Sequence, residues 1–373
     1  MIYLDSAATT LQKPPAVARA ASYAIQHMAT PGRGGHRPAS LAADTAFRCR
    51  SLAAKLFEME DPGRVIFTFN ATHALNIAIK TLVKPGDRVV ISGYEHNAVT
   101  RPLNALGANT TAIQAPLFQP EAMLEQFERA VTPGTAAVVC THVSNVFGYI
   151  LPVEGIAAIC RERNVPFVLD ASQSAGVLPV SMEALGAAFI AMPGHKGLYG
   201  PQGTGLLLCG REEVSTVLEG GTGSASALTE MPDFLPDRLE AGTHNMAGIA
   251  GLLEGLRFLE RTGIQRIRDH EEGLTAMAAA RLSALPGVTV FAGPTLAHQA
   301  GVLSFRVEGM DCEAVGEALA GRDIAVRAGL HCAPLAHRTA GTFDTGTVRA
   351  SFSVFNTGGE VRQLAAALGR ITS

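Results

Sequence analysis

The chain has 373 residues, of which 47% are hydrophobic and 17% charged, and its formal net charge is −3. This composition is typical of a compact globular protein with one large or two medium domains, and it disfavours a disordered chain. The sequence contains no Lys/Arg cluster of the kind that binds nucleic acid. It also contains no apolar stretch of the roughly 20 residues that a membrane-spanning helix needs.

The six cysteines are scattered and form no CxxC pair, which disfavours a zinc site and a disulfide framework. The segment from Met1 to Asp5 lacks the basic and long apolar regions of a secretion signal. We therefore expect a cytoplasmic protein without a bound metal, whose partners include neither nucleic acid nor a membrane.

Apolar strands and amphipathic helices alternate from residue 64 to residue 209. The predicted strands are 65–69, 88–92, 136–141, 166–170, 187–191 and 205–209, and a helix is predicted at 72–83. This pattern favours an α/β fold with a mainly parallel sheet covered on both faces. Ligands of such sheets bind beyond the carboxyl ends of the strands. The polar residues that occur there are Asn70 to Thr72, Glu95 and His96, Asn145, Asp170, and His195 with Lys196.

The remaining residues predict a long loop and a second α+β unit. Residues 220–243 are irregular and rich in Gly, Ser and Pro, as in a functional loop. Helices at 246–262 and on to 285 are followed by predicted strands at 288–291, 301–307, 324–327 and 347–353.

Lys196 is the only lysine after Lys84, although arginine continues throughout. An amine, unlike a guanidinium, loses its proton when desolvated and can form a Schiff base. Asp170 ends the preceding predicted strand, where it would cap a helix or pair with a cofactor. A lysine and a carboxylate on neighbouring strands suit pyridoxal phosphate, which needs an amine for its aldehyde and an acidic partner for its pyridine nitrogen.

Two further sites follow strands and have alternative interpretations. Ala71 and Thr72 open a helix, where backbone N–H groups favour a phosphate, but many strand–helix turns look the same. His96 would stack on a flat ring or cap the next helix.

Seven motifs in chain order carry a resemblance to a known family. They are YLDSAATT (3–10), EHNA (95–98), HVSN (142–145), DASQ (170–173), GHKGLYGP (194–201), EAGT (240–243) and VRAS (348–351). Together they resemble class V aminotransferase-fold enzymes, and within these the cysteine desulfurase and selenocysteine lyase branch. The resemblance covers essentially the whole chain.

The resemblance implies a pyridoxal-phosphate-dependent transferase of fold type I. Residues 14–249 would form a large domain with a mainly parallel seven-stranded sheet. Residues 250–373, with the N-terminal segment 1–13, would form a smaller α+β domain that carries the Cys332 loop and Arg349. The enzyme would be a homodimer with its active sites at the interface.

The resemblance also implies roles for individual residues. Lys196 would bond to the cofactor, Asp170 would pair with its pyridine nitrogen and His96 would stack on its ring and act in catalysis. Gln173 and Asn145 would bind the cofactor or the substrate, and Arg349 would bind the substrate carboxylate. The phosphate would be held by Ala71, Thr72 and His195. Thr243 would reach the phosphate in the partner subunit, and His36 would approach the partner's pocket.

The segment 326–334 resembles the loop whose cysteine takes sulfur from the substrate. Cys332 would be this nucleophile, because Arg327 and His331 suit a thiolate, although cysteine is also a common core residue. His73, Pro193, Leu330 and residues 220–224 depart from the usual pattern.

The main hypothesis is a cysteine desulfurase that converts L-cysteine to L-alanine and passes sulfur to Cys332 and then to an acceptor protein. The close alternative is a selenocysteine lyase, which uses the same residues and depends less on Cys332. Other class V chemistry would leave Cys332 idle, and a non-catalytic sulfur scaffold disagrees with the intact Lys196 and Asp170.

Overall fold

The structure is a computed structural model and describes residues 1–32 and 34–372. Its strands are β1 (Ile2–Tyr3), β2 (Val65–Thr68), β3 (Arg88–Ser92), β4 (Asn109–Ile113), β5 (Thr135–Thr141), β6 (Phe167–Asp170), β7 (Phe189–Pro193), β8 (Gly205–Cys209), β9 (Val288–Phe291), β10 (Val302–Val307), β11 (Ile324–Ala325), β12 (Arg327–Gly329) and β13 (Thr347–Ser351).

Helices flank and connect these strands. They are α1 (Pro15–His27), α2 (Arg37–Leu56), α3 (Ala71–Leu82), α4 (Asn97–Leu106), α5 (Pro120–Ala130), α6 (Val153–Glu162), α7 (Met182–Leu185), α8 (Met246–Thr262), α9 (Ile264–Ser283), α10 (Cys312–Ala320), α11 (Pro334–Thr339) and α12 (Gly358–Thr372). Within residues 1–32 and 34–372, no helix combines the length and the apolar character that crossing a bilayer requires.

The central element is a seven-stranded sheet in the order β2-β8-β7-β6-β5-β3-β4. Neighbouring strands are parallel except that β8 runs antiparallel to both β2 and β7. All four residues of β6 and all five of β7 are buried, as expected for strands covered by helices on both faces. The predicted mainly parallel sheet is thus observed.

The register of the central strands brings the polar residues to one edge. Asp170 at the end of β6 is paired with Thr141 on β5 and with Ala191 on β7. Lys196 follows β7 by three residues, so it emerges beside Asp170.

A second, four-stranded sheet in the order β12-β13-β10-β9 is antiparallel throughout. A short parallel pair, β1 with β11, joins the start of the chain to this region. The predicted strand 324–327 is wrong in detail, because residues 324–325 pair with β1 whereas 327–329 pair with β13.

Two other details differ from expectation. Strand β4 was not predicted because its sequence, NTTAI, is polar and mostly exposed at the sheet edge. Helix α8 runs without a break through the proposed domain boundary at residues 249 and 250. The division into residues 14–249 and the remainder therefore stays a prediction.

Candidate active site

A cavity of about 200 Å³ lies at the carboxyl edge of the central sheet. Its lining includes eight residues that the sequence selected, namely Ala71, Thr72, His96, Asn145, Asp170, Gln173, His195 and Lys196. The polar residues that follow separate strands are therefore gathered in one place.

The Lys196 amine is the reactive group of this cavity. Burial lowers its pKa to about 8, although the neighbouring Asp170 carboxylate opposes this effect. Within the described residues, only burial and neighbouring charges act on this pKa, without a contribution from a hydrogen bond. A lysine that is half deprotonated near pH 8 can act as a nucleophile or as a base.

Asp170 is only 2% exposed, and its Oδ1 accepts a hydrogen bond from the Ser172 backbone N–H at 2.9 Å. The carboxylate therefore caps a turn and also lines the cavity. The alternative interpretation of Asp170 as a helix cap is wrong, because residues 171–181 contain no helix.

Glu95 lies fully buried near Asp170, and burial raises its pKa to about 8. Its Oε1 accepts hydrogen bonds from the Thr141 N–H at 2.8 Å and from the Ser92 hydroxyl. At neutral pH Glu95 is therefore mainly uncharged.

Two helix starts face the cavity. Asn70 caps α3 by accepting from the His73 N–H at 2.9 Å, which leaves the N–H groups of Ala71 and Thr72 without partners inside the helix. His96 caps α4, with Nδ1 accepting from the Ala98 N–H at 3.0 Å. Burial lowers the pKa of His96, which favours the neutral ring, although the Asp170 carboxylate opposes this effect.

His195 lies beside the start of α3 in the cavity wall. Burial, with the nearby Lys196 and Lys13 amines, lowers its pKa to about 4. Its Nδ1 is buried and makes no hydrogen bond within the described part of the chain. An unpartnered buried ring nitrogen is costly unless a ligand satisfies it.

Gln173 and Asn145 both make protein contacts. Gln173 donates from Nε2 to the Ala7 carbonyl at 3.0 Å, and Asn145 donates from Nδ2 to the His331 carbonyl at 2.8 Å. Both side chains also line the cavity, so their predicted contacts to a cofactor or substrate remain predictions.

Arg349 on β13 is 2% exposed and lies next to Asn145. Its Nη1 donates to the Asn145 carbonyl at 2.7 Å and its Nη2 to Asp5 Oδ1 at 2.8 Å. The buried Nε has no hydrogen-bond acceptor among residues 1–32 and 34–372. Arg349 contacts the cavity wall through Asn145 and is not itself a lining residue. Its unsatisfied Nε donor suits an anionic partner.

Cys332 lies in a tight turn between β12 and α11. The Ala333 N–H closes the turn onto the Leu330 carbonyl at 2.9 Å, and both central residues, His331 and Cys332, have positive φ angles of 49° and 56°. Cys332 is the exposed one of the six cysteines, all of which the structure describes. The turn presents its thiol to the solvent.

The turn is attached to the cavity wall at two points. Asn145 holds the His331 carbonyl, and the Asn97 N–H, directly after His96, donates to the Cys332 carbonyl at 2.8 Å. The expectation that His331 provides positive charge for the thiolate is not supported by its surroundings. Burial lowers its pKa to about 2, and its Nε2 donates to the Thr347 carbonyl at 3.1 Å.

Two predicted residues lie away from the Lys196 cavity. Thr243 is exposed and lines a separate cavity with Phe67, Phe69 and Leu218. His36 is exposed and caps α2, where its Nδ1 accepts from the Ala39 N–H at 3.4 Å. Their predicted contacts require a second subunit and stay predictions.

Two residues near the site had no role in the sequence analysis. Asp5 pairs with Arg349, and Lys13 donates from Nζ to the His195 carbonyl at 2.8 Å. Burial lowers the pKa of Lys13 to about 8. Asp5 belongs to a quoted motif, but no local pattern predicts a contact 344 residues away.

Comparisons with known proteins agree with this geometry. The family model described as Aminotransferase class-V matches residues 2–364. A Mycobacterium leprae protein named "Probable cysteine desulfurase 1" is 36% identical over 97% of the chain, and a Methanothermobacter thermautotrophicus protein named "Probable cysteine desulfurase" is 33% identical over 99%. The chain spans 60% of the length of the former and 94% of the latter.

A solved structure supports the fold. The structure described as the apo form of cysteine desulfurase from Thermococcus onnurineus NA1 has a TM-score of 0.90 and 32% identity. It covers 100% of this chain, which in turn covers 94% of that one. The predicted fold class is confirmed, and the chain belongs to the class-V aminotransferase family.

Proposed function

We propose that this protein is a pyridoxal-phosphate-dependent cysteine desulfurase, which converts L-cysteine to L-alanine and leaves the sulfur on Cys332 as a persulfide. One juxtaposition carries the proposal. The Lys196 amine and the Asp170 carboxylate share a cavity whose wall, at Asn145, holds the turn of an exposed cysteine. The relatives reported above bear the name cysteine desulfurase.

The residues present fit pyridoxal phosphate. The Asp170 carboxylate suits a protonated pyridine nitrogen, and the unpartnered Nδ1 of His195 with the free N–H groups of Ala71 and Thr72 suits a phosphate. The Lys196 amine would bond to the aldehyde.

When bound, the cofactor would withdraw electrons from the bonds around the substrate α-carbon. Arg349 would hold the α-carboxylate through its unpartnered Nε edge. Lys196, with a pKa of about 8, would take the α-proton and return a proton to the substrate.

Cys332 would act as the sulfur acceptor. Its thiolate attacks the substrate sulfur, so that an S–S bond forms while the carbon–sulfur bond breaks. The bonding electrons remain with the substrate carbon, which is protonated to the methyl group of L-alanine. Thiol and substrate thus give persulfide and alanine without an external oxidant or reductant.

We also propose a cytoplasmic homodimer that passes its sulfur to an acceptor protein. Support for the dimer comes from exposed apolar side chains beside Thr243, including Phe69 at 52% and Leu218 at 45% exposure. The exposure of Cys332 supports transfer to a separate acceptor, and six free cysteines suit a reducing compartment.

The test is to incubate the holoenzyme with L-cysteine, quantify alanine, and locate the added sulfur by peptide mass spectrometry. We expect alanine and a persulfide on Cys332, and loss of both in Lys196→Ala. In Cys332→Ser the cofactor absorbance should remain while alanine release falls by at least tenfold. If Cys332→Ser keeps its rate and L-selenocysteine is strongly preferred, the selenocysteine lyase alternative replaces this proposal.

A further inference from the structure

Asp5 lies between two arginines of the small sheet. Its Oδ1 accepts from Arg349 Nη2 at 2.8 Å, and its Oδ2 accepts from Arg327 Nε at 3.1 Å. The backbone of Asp5 is itself fixed by a parallel bridge to Ser351 on β13. One carboxylate therefore bonds both guanidinium groups from a rigid position.

The two arginines need this carboxylate because of their register. Arg327 on β12 and Arg349 on β13 are directly opposite each other in the antiparallel pair. Like charges at such positions destabilise a sheet. Arg349 is also only 2% exposed, and a buried charge without a partner is costly. The Asp5 carboxylate contacts both guanidinium groups, so it reduces the repulsion between them and also neutralises the buried charge of Arg349.

The contacts of Arg349 also determine where a ligand can bind. The Asn145 carbonyl takes one Nη1 hydrogen, Asp5 takes one Nη2 hydrogen, and the buried Nε keeps its donor free of acceptors in the described chain. A guanidinium fixed at two of its nitrogens cannot rotate, so its remaining donors point in one direction.

We propose that Asp5 is a positioning residue for substrate recognition, which holds the Arg349 guanidinium so that its Nε edge meets the α-carboxylate of the amino acid. This inference rests on the proposed function, in which Arg349 binds that carboxylate. Without the Asp5 charge, Arg349 is repelled by Arg327 and turns away from the carboxylate site.

The test uses Asp5→Asn, which keeps the shape of the side chain and removes its charge. Dissociation constants of the holoenzyme are measured for L-alanine and for L-alaninamide, which has the same amine and methyl group but no carboxylate. We expect the dissociation constant for L-alanine to rise by about tenfold or more, because charge-assisted hydrogen bonds depend on the aim of the guanidinium. The constant for L-alaninamide should stay within about twofold.

A second variant removes the repelling charge. In Asp5→Asn combined with Arg327→Gln, alanine binding should recover most of the loss, whereas Arg327→Gln alone should bind alanine nearly as the wild type does. The melting temperature should follow the same order, lowest for Asp5→Asn and partly restored in the double variant. This second readout does not depend on turnover.

Three outcomes overturn the inference: unchanged alanine binding in Asp5→Asn, equal losses for alanine and alaninamide, or no recovery in the double variant. Arg349→Lys separates this failure from failure of the proposed function. If Arg349→Lys leaves alanine binding unchanged, the carboxylate role of Arg349 is itself wrong. If it weakens binding while Asp5→Asn does not, only the role of Asp5 is wrong. Should Asp5→Asn not fold, Asp5→Glu tests the position of the carboxylate instead of its charge: it should weaken alanine binding and leave alaninamide binding within about twofold, and unchanged alanine binding would overturn the inference.

Discussion

Glu271 on α9 is a buried carboxyl group whose removal should make the protein more stable in alkaline solution. It is 4% exposed, and burial is the only effect of the described residues on its pKa, without a hydrogen bond that would favour the charged form. It lines a cavity of about 30 Å³ together with Lys196 and Tyr199. This volume and these polar groups suit one or two buried waters.

The size of the effect follows from the pKa of Glu271. Burial raises this pKa from its ordinary value of 4.5 to about 8, so the folded protein binds the proton more tightly than the unfolded chain does. The contribution of Glu271 to folding stability is therefore fully present below pH 4.5, is lost as the pH rises towards 8, and is constant above that. At 1.36 kcal/mol per pKa unit, the full loss amounts to about 5 kcal/mol.

The assay is urea unfolding of the wild type and Glu271→Gln at pH 6 and pH 9. Glutamine keeps the shape and cannot ionise, so the variant should gain stability over the wild type between these two pH values, by about 3 kcal/mol, because only the interval from pH 6 to pH 8 contributes. Glu95, whose pKa is also raised to about 8, contributes equally to both proteins and cancels. Glu272→Gln, at the neighbouring position, is the matched control because Glu272 pairs with Arg268 at the surface.

The reasoning is refuted if the stability difference between Glu271→Gln and the wild type is the same at pH 6 and pH 9. It is also refuted if Glu272→Gln shows an equal change with pH, because the effect would then not depend on burial.

Two further predictions concern charged groups. Glu240→Gln breaks the buried ion pair with Arg50, in which Nη1 lies 2.7 Å from Oε1. The free energy of unfolding, measured in urea, should fall by about 3 kcal/mol. An unchanged free energy would contradict a structural role of the pair. In cofactor-free protein, acetylation of Lys196 followed by mass spectrometry should have its midpoint near pH 8, well below the ordinary lysine value of 10.5. Asp170→Asn should move the Lys196 midpoint lower still, because the carboxylate raises this pKa; a rise would show that another group sets it.

The parts of the site that could be predicted from the sequence are those that follow from strand pattern. Asp170 and Lys196 end or follow fully buried apolar strands, and parallel packing places such ends at one edge. The edge strand β4 lacks that pattern and was missed. Asp5 and Glu271 could not be assigned roles, because their surroundings come from residues that are distant in the chain.

The Cys332 turn shows why the position of a reactive group depends on distant contacts. Positive φ at two successive non-glycine residues costs about 1 to 2 kcal/mol each, so glycine would suit His331 and Cys332 better on local grounds. The conformation is kept because the carbonyls of both residues accept hydrogen bonds, from Asn145 and from Asn97. These donors follow two different strands of the central sheet, while the turn itself follows β12 of the small sheet. The position of the thiol is therefore set by contacts with the large sheet. A glycine at residue 332 would lower the backbone strain, but it would also remove the sulfur that the proposed chemistry requires.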